Sequence, residues 1–347
     1  MSGGPAGGPP PDAATERLEA LGARLPGAVL DLLPEPVGDD EVAHFAALQR
    51  SYPARGGKGL RGRLLLAAAY AHGADPADAL PVAAALELFQ NWVLVHDDVE
   101  DDSDERRGAP ALHREVGVPV AINVGDAMHV AMWRALLATD APWRDQVLHE
   151  FATTIARTAE GQHLDLAWVS EGRFDVDAAA YLGMVERKTA IYTVVAPLRL
   201  GAHVAGTPPD ERFEAAGRAL GAAFQIRDDV LNLEPDRGAY GKEFAGDLYE
   251  GKRTLILAHA FERLAPNDAA RLQALLNRPR REKTDAEMRE AHALIVSAGA
   301  LASAQATAET LAAEGRATLL AALEAHTDAS RRAPLVAWID ALVDRDA

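Results

Sequence analysis

The sequence contains no cysteine. Disulfide staples and thiolate metal sites are thereby excluded, and redox usage says nothing about compartment. Aromatic residues are scarce at 5%. With alanine abundant, that scarcity suits close-packed helices better than a sheet sandwich. Positive charge is also short, with 35 Lys+Arg against 52 Asp+Glu and a net charge of -17. Such a balance makes duplex nucleic acid and an anionic membrane surface poor partners, so no nucleic-acid partner is expected. Phosphate binding would require metal ions and a few well-placed cations. No apolar run approaches the length a bilayer needs, so no membrane anchor is expected. The opening MSGGPAGGPPPDAA lacks the charged start and apolar stretch of a signal peptide. Its glycine and proline content reads as a disordered leader over residues 1–12, and a cytoplasmic location is the default expectation.

What is present points to an all-α fold. The 347 residues are 48% hydrophobic, enough for a sizeable core, and no later linker divides the chain, so one helical domain is expected over 13–347. Asp75-Pro76 is a strong helix start, with Asp as N-cap and Pro at the first helical position. The helix it opens runs to about Asp102. Other helices are expected near 15–25, 40–51, 60–72, 118–139, 143–170, 175–205, 210–232, 251–264, 266–277, 284–298, 300–325 and 329–344, and Pro197 should kink the element at 175–205. Period-two strand patterns are scarce. Two polar segments follow long apolar helices, DDVEDDSDERRGAPALH from Asp97 and NLEPDRGAYGKEFAGDLYEGK from Asn232, and both read as candidate mobile lids.

The acids in these segments carry the chemistry. Asp97 and Asp101 are four apart, which puts both carboxylates on one helical face, and Asp98 with Asp102 forms a second pair beside them. Like charges at that spacing destabilise a bare helix. The pattern fits either a solvated acidic helix end or a site that a cation completes. Magnesium takes carboxylate, water and phosphate oxygens, so one or two carboxylates per ion plus a diphosphate is a natural set. Three features favour the site. The apolar turn Trp92-Val93-Leu94-Val95 precedes the acids, Arg106-Arg107-Gly108 follows them, and a second pair, Asp228-Asp229, ends another apolar helix.

At this point the motifs resemble a known family. HDDVEDDSDERRG is similar to the first aspartate-rich motif, DDxxDxxxxRRG, of the trans-polyprenyl diphosphate synthases, and FQIRDDVLN to the second, FQxxDDxxD. GGKGLRGRL (56–64), RKTAIY (187–192) and GDLYEGKRT (246–254) resemble three further motifs in the same order. The resemblance implies a large helical bundle of the isoprenoid synthase type with a central substrate cavity. It also implies a homodimer, and three magnesium ions bridging an allylic diphosphate to the two acidic motifs. By position, Asp97, Asp101 and Asp228 would ligate the metals, with Asp98, Asp102 and Asp229 as outer partners. Arg106, Lys188, Lys252 and Lys242 would contact the allylic diphosphate, and Lys58, Arg61, Arg107 and Gln90 that of isopentenyl diphosphate. The Lys188 carbonyl, Thr189 and Gln225 would stabilise the allylic cation, the released diphosphate serving as base. His96 and His113 read as structural. Asn232 stands where the family's second motif has a third acid, which puts the affinity for the third ion in doubt.

Product length is read from the helix before Asp97. At 100° per residue, Phe89, Trp92 and Val93 share a face, with Trp92 about 7.5 Å and Phe89 about 12 Å along the axis from Asp97. In the family a bulky residue at the Trp92 position acts as a floor under the growing chain, though ordinary core packing explains the same pattern. The expected product is C20, with C15 next. A class I terpene cyclase is the nearest competitor, but it needs no second diphosphate site. A non-catalytic partner subunit would typically lose the acids, and a plain helical scaffold would leave the clustered charge without purpose.

Overall fold

The computed structural model describes residues 13–234 and 245–343. Apart from one two-stranded hairpin, its regular elements are helical. The first half comprises α1 (Ala13–Asp31), α2 (Glu41–Ala54), α3 (Leu60–Ala71), α4 (Pro76–Glu100), α5 (Leu112–Val116), α6 (Val118–Ala138) and α7 (Arg144–Ser170). Then come α8 (Ala178–Val185), a π-helical stretch (Glu186–Val195), α9 (Ala196–Val204), α10 (Arg212–Asn232) and α11 (Gly246–Glu250). The remainder is α12 (Leu255–Arg263), α13 (Pro266–Leu276), α14 (Asp285–Ser297), α15 (Ala300–His326) and α16 (Ala329–Val343). The leader over 1–12 lies outside the described residues.

Local chemistry explains most boundaries. Asp75 caps α4 through Ala77 N–H at 2.9 Å, with Pro76 opening the helix as the sequence predicts. Thr284 and Glu287 form a reciprocal capping box on α14. Helix α1 outruns its expected end at 25. Leu21, Leu25 and Val29 continue its buried face past Pro26, and that burial outweighs the lost hydrogen bond. Helix α4 is also a correction: among the described residues it is long and apolar enough to cross a membrane. Its most apolar window is 67% buried by neighbouring helices, and it ends in the acids, which marks a core helix.

Two apolar cores form, joined by shared helices. The larger gathers α1, α3, α4, α6 and α9 around Leu65, Leu86, Phe89 and Met128. The smaller gathers α8, α12, α13 and α14 around Tyr181, Ile256 and Leu272. Helices α10 and α15 belong to both: Leu220 and Leu319 pack into the larger core, Ile226 and Ala304 into the smaller.

The element expected at 175–205 departs from α-geometry well before Pro197. The π-helical stretch occupies Glu186–Val195, where Ala196 N–H reaches back five residues to Ile191 O, and Pro197 stands in the first turn of the resumed α-helix. Glycines on both flanking helices admit this widened backbone. A Cβ on Gly161 of α7 would collide with Lys188 N, and one on Gly221 of α10 with Ala190 Cα. Overpacking against backbone costs about 1–3 kcal/mol, so Gly221→Ala should lower unfolding free energy by that amount. Gly27→Ala meets nothing within 4 Å and should be neutral or stabilising by roughly 0.5–1 kcal/mol. Urea titration of both variants checks the pair; equal effects would contradict the close-approach role of Gly221.

Candidate active site

The ends of α4, α7, the π-helical stretch and α10, with the first turn of α3 and the segment after α11, enclose a cavity of about 760 Å³. One wall is acidic. Asp97 from α4, Asp165 from α7, Asp228 and Asp229 from α10, and Asp247 from α11 line it. Lys188 and Lys252 stand among them. Lys188 Nζ lies 2.5 Å from Asp165 and 3.5 Å from Asp97, and Lys252 Nζ lies 2.8 Å from Asp101 and 2.7 Å from Glu250.

Burial and charge set these carboxyls apart. Burial pushes Asp97 up, but Lys188, Lys252 and Arg106 outweigh it and hold the carboxyl well below the usual range. Asp101 is pushed up to about 7 by burial, Lys252 opposing and Asp97 adding to the rise. Asp229 is pushed up to about 8 by burial and by Asp247. Lys188 and Lys252 are held charged above the normal lysine range: burial alone would lower both, but the surrounding acids dominate. Five carboxyl groups line this wall with Lys188, Lys252, Arg106 and Arg253, so a cation that enters finds several oxygen donors. Among the described residues no three acids or histidines converge as a self-contained metal cage. The donor set is carboxylate oxygen spread around a cavity, the kind magnesium uses when phosphate and water complete its shell.

Of the two segments read as lids, the one from Asn232 lies largely outside the described residues, and the one after α4 folds back on itself. Glu105–Arg106 pairs with Ala109–Pro110 as a hairpin, Glu105 opposite Pro110 and Arg106 opposite Ala109. Arg107 (φ 56°) and Gly108 (φ 72°) form its turn, both left-handed as a two-residue hairpin loop demands. That turn sends two adjacent arginines in different directions. Arg106 closes on Asp98 at 2.5 Å and Asp97 at 3.3 Å, whereas Arg107 donates to Asn91 Oδ1 at 3.0 Å. Asp98 is sealed from solvent and also accepts from Tyr52 at 3.3 Å. Asp102 does not pair with Asp98 as helical spacing predicts. The helix ends at Glu100, Asp102 takes φ 52°, and its carboxylate meets Arg114 at 2.8 Å.

A second wall is basic. Lys58, Arg61 and Arg107 line the cavity with Gln90. Arg61 is 5% exposed, donates to Thr193 at 2.9 Å and lies over the Tyr192 ring at 4.3 Å. Its Nε is buried without a hydrogen-bond partner among the described residues. Between the walls, Thr189 Oγ1 donates to Gln225 Oε1 at 3.0 Å, and Gln225 Nε2 donates to Asp229 at 2.8 Å.

Among the candidates for chain length, Val93 lines the cavity beside Leu94. Phe89 and Trp92 stand one layer back. Phe89 packs edge-on to Tyr192 at 5.5 Å, and Trp92 packs against Phe89 while stacking on His129 at 3.9 Å. His96 turns toward Ile122 O at 3.2 Å, and His113 is buried away from the cavity. Lys242 lies outside the described residues. Asn232 Oδ1 accepts the Asp247 N–H at 3.2 Å, so it anchors α11.

Sequence reasoning passed over Gln162, Asp165, Tyr181 and Asp247. Gln162 donates to Asp97 at 3.2 Å and Tyr181 to Asp229 at 2.7 Å. The signal for the first two was GQHLD, a glycine before two polar residues one turn apart. Asp247 is the acid that opens DLYEGKRT.

Residues 43–295 match the Polyprenyl synthetase family. The chain is 38% identical over 224 residues to the short chain isoprenyl diphosphate synthase of Methanothermobacter thermautotrophicus, covering 64% of this chain and 68% of that protein. It is 38% identical over 248 residues to the geranylfarnesyl diphosphate synthase of Natronomonas pharaonis, covering 70% and 66%. The matches thus span about two thirds of each relative's length. The geranylgeranyl pyrophosphate synthase of Corynebacterium glutamicum, solved with isoprenyl diphosphate and magnesium, superposes with a TM-score of 0.82 at 27% identity, covering 95% of this chain and 99% of that one.

Proposed function

The chain belongs to the polyprenyl synthetase family, and on that footing we propose that it is a transferase joining isopentenyl diphosphate to an allylic prenyl diphosphate, giving a short all-trans prenyl diphosphate. The observation that carries the reading is one cavity lined both by a set of carboxylates and by a separate set of cations, Lys58, Arg61 and Arg107. A terpene cyclase has no use for the second wall, and a non-catalytic subunit has no use for the first.

On this reading Asp97, Asp101 and Asp228 would hold magnesium, three ions per site, and Lys188, Lys252 and Arg106 would contact the allylic diphosphate, with Lys242 as a further contact. Bound magnesium would supply Lewis-acid withdrawal of charge from the leaving group. The basic wall grips the second diphosphate through N–H donors and Gln90, so that ester is held without activation. Asp229 fixes the Gln225 amide, which turns its Oε1 toward Thr189. Together with the Lys188 carbonyl these oxygens form a fixed row to stabilise the allylic cation as its C–O bond breaks. The double bond of isopentenyl diphosphate then forms the new C–C bond, and the released diphosphate takes the proton.

The preferred product is C20, with C15 next. Support comes from the wall of Val93 and Leu94 and from Tyr192 backed by Phe89 and then Trp92. The geranylfarnesyl relative marks the longer alternative. We also propose a homodimer through α6, which leaves Val118 44%, Ile122 41%, Val130 57% and Leu137 60% exposed, apolar surface that a second copy would cover. The charge balance supports work without nucleic acid.

Incubation with isopentenyl diphosphate, magnesium and C5, C10 or C15 allylic diphosphate should yield linear products sized by chromatography; cyclic hydrocarbons would support a cyclase instead. Asp97→Ala should lose at least about a hundredfold in rate, and retention of the wild-type rate would remove the metal role. Trp92→Ala and Phe89→Ala should each lengthen the product, and unchanged length in both would remove the floor assignment. Light scattering should give twice the 36.9 kDa chain mass; a monomer would leave the α6 face unexplained.

A further inference from the structure

Two buried polar side chains interrupt the apolar run of α4 without belonging to either acidic motif. Glu87 is 7% exposed and Asn91, one turn later, is 5% exposed. A buried carboxylate is costly unless it is hydrogen-bonded to something specific. Glu87 Oε1 accepts the backbone N–H of Gly62 at 2.8 Å. Gly62 lies in the first turn of α3, whose N-cap residue, Gly59, provides no side-chain cap. Glu87 therefore does from another helix what a local Ser or Asp would ordinarily do. The approach is close: a Cβ on Gly62 would lie 3.1 Å from Glu87 Cγ and 2.9 Å from Leu25 Cδ1.

Asn91 completes the arrangement. Its Nδ2 donates to the Glu87 carbonyl at 2.7 Å, and its Oδ1 accepts from Arg107 Nη1 at 3.0 Å. Its amide is thus locked by its own helix and presents one oxygen to the hairpin arginine. A Cβ built on Gly57 would lie 3.3 Å from Arg107 Nη2, so Arg107 reaches the segment that carries Lys58. Three cations brought together from two distant segments repel one another. Burial lowers the Arg107 pKa, as do Arg106 and Arg61, whereas Tyr52 and Glu87 push it back up.

We propose that Glu87 and Asn91 are the positioning residues of the metal-free diphosphate pocket: Glu87 fixes the first turn of α3, which carries Arg61 and directly follows Lys58, and Asn91 fixes Arg107 against the segment before it. They act through the three cations and set the affinity for the diphosphate of the non-allylic substrate. This inference rests on the reading of the basic wall as a diphosphate site, and the test separates the two. Inorganic diphosphate is titrated by calorimetry in EDTA, where the acidic wall has no metal to recruit it. Wild-type protein should bind, and Glu87→Ala should bind at least about tenfold more weakly. Glu87→Gln keeps an acceptor for the Gly62 N–H and should stay within about threefold of wild type.

In steady-state turnover, Glu87→Ala and Asn91→Ala should raise KM for isopentenyl diphosphate about tenfold, with KM for the allylic substrate and kcat each within about threefold. A general loss of fold would move all three parameters together and would not be rescued by Glu87→Gln. Unchanged diphosphate affinity in Glu87→Ala, or equal rises in both KM values, would overturn the positioning role. Absence of metal-free diphosphate binding by the wild type would overturn the basic-wall reading and the inference with it.

Discussion

Everything in the cavity depends on buried carboxylates that cannot stand alone. Taking several acids out of water is expensive, and each must find a cation, a hydrogen-bond donor or a proton. Asp98 has Arg106 and Tyr52, Asp165 has Lys188, and Asp229 has Tyr181 and Gln225. These partners come from α2, the hairpin, the π-helical stretch, α8 and α10. Satisfying the acids therefore draws the surrounding elements to one place. The same gathering leaves the acidic wall rich in oxygen donors, which is the physical ground for reading it as a place where metal and diphosphate meet.

The π-helical stretch shows how backbone geometry serves that end. Lys188 and Thr189 sit in its widened turns, facing Asp97 and Gln225. Ordinary α-geometry would rotate neighbouring side chains by 100° per residue and would not present this run of polar groups in the same way. Gly161 and Gly221 let the stretch lie backbone to backbone against α7 and α10. The fold thus gives up side-chain packing at two positions and gains a rigid polar edge.

The two walls differ in kind. On the acidic wall, lysines interleave with carboxylates, and burial set against the neighbouring charges separates the carboxyls in acidity. On the basic wall, Arg61 lies over an aromatic ring and Arg107 is tied to an amide, with the capping carboxylate of Glu87 also lining the cavity. On the proposed reading, the first environment serves the diphosphate that leaves and the second the one that stays. A short turn at Arg107-Gly108 divides adjacent arginines between them.

The sequence by itself determined the helical class, the start of α4, the placement of Asp97, Asp101 and Asp228 at the ends of apolar helices, and the cations that accompany them. These are matters of local period, capping and composition, which residues close in the chain decide. Its estimates erred where the chain turns on itself. Asp102 left the helix, the segment after it formed a hairpin, and the disturbance assigned to Pro197 began at Glu186. Only the tertiary structure decided that Gln162, Asp165, Tyr181 and Asp247 share the cavity, that Trp92 stands a layer behind its wall, and that Glu87 caps a helix 25 residues away. Those relations depend on how closely helices approach, and that is set by glycines and buried partners far apart in sequence.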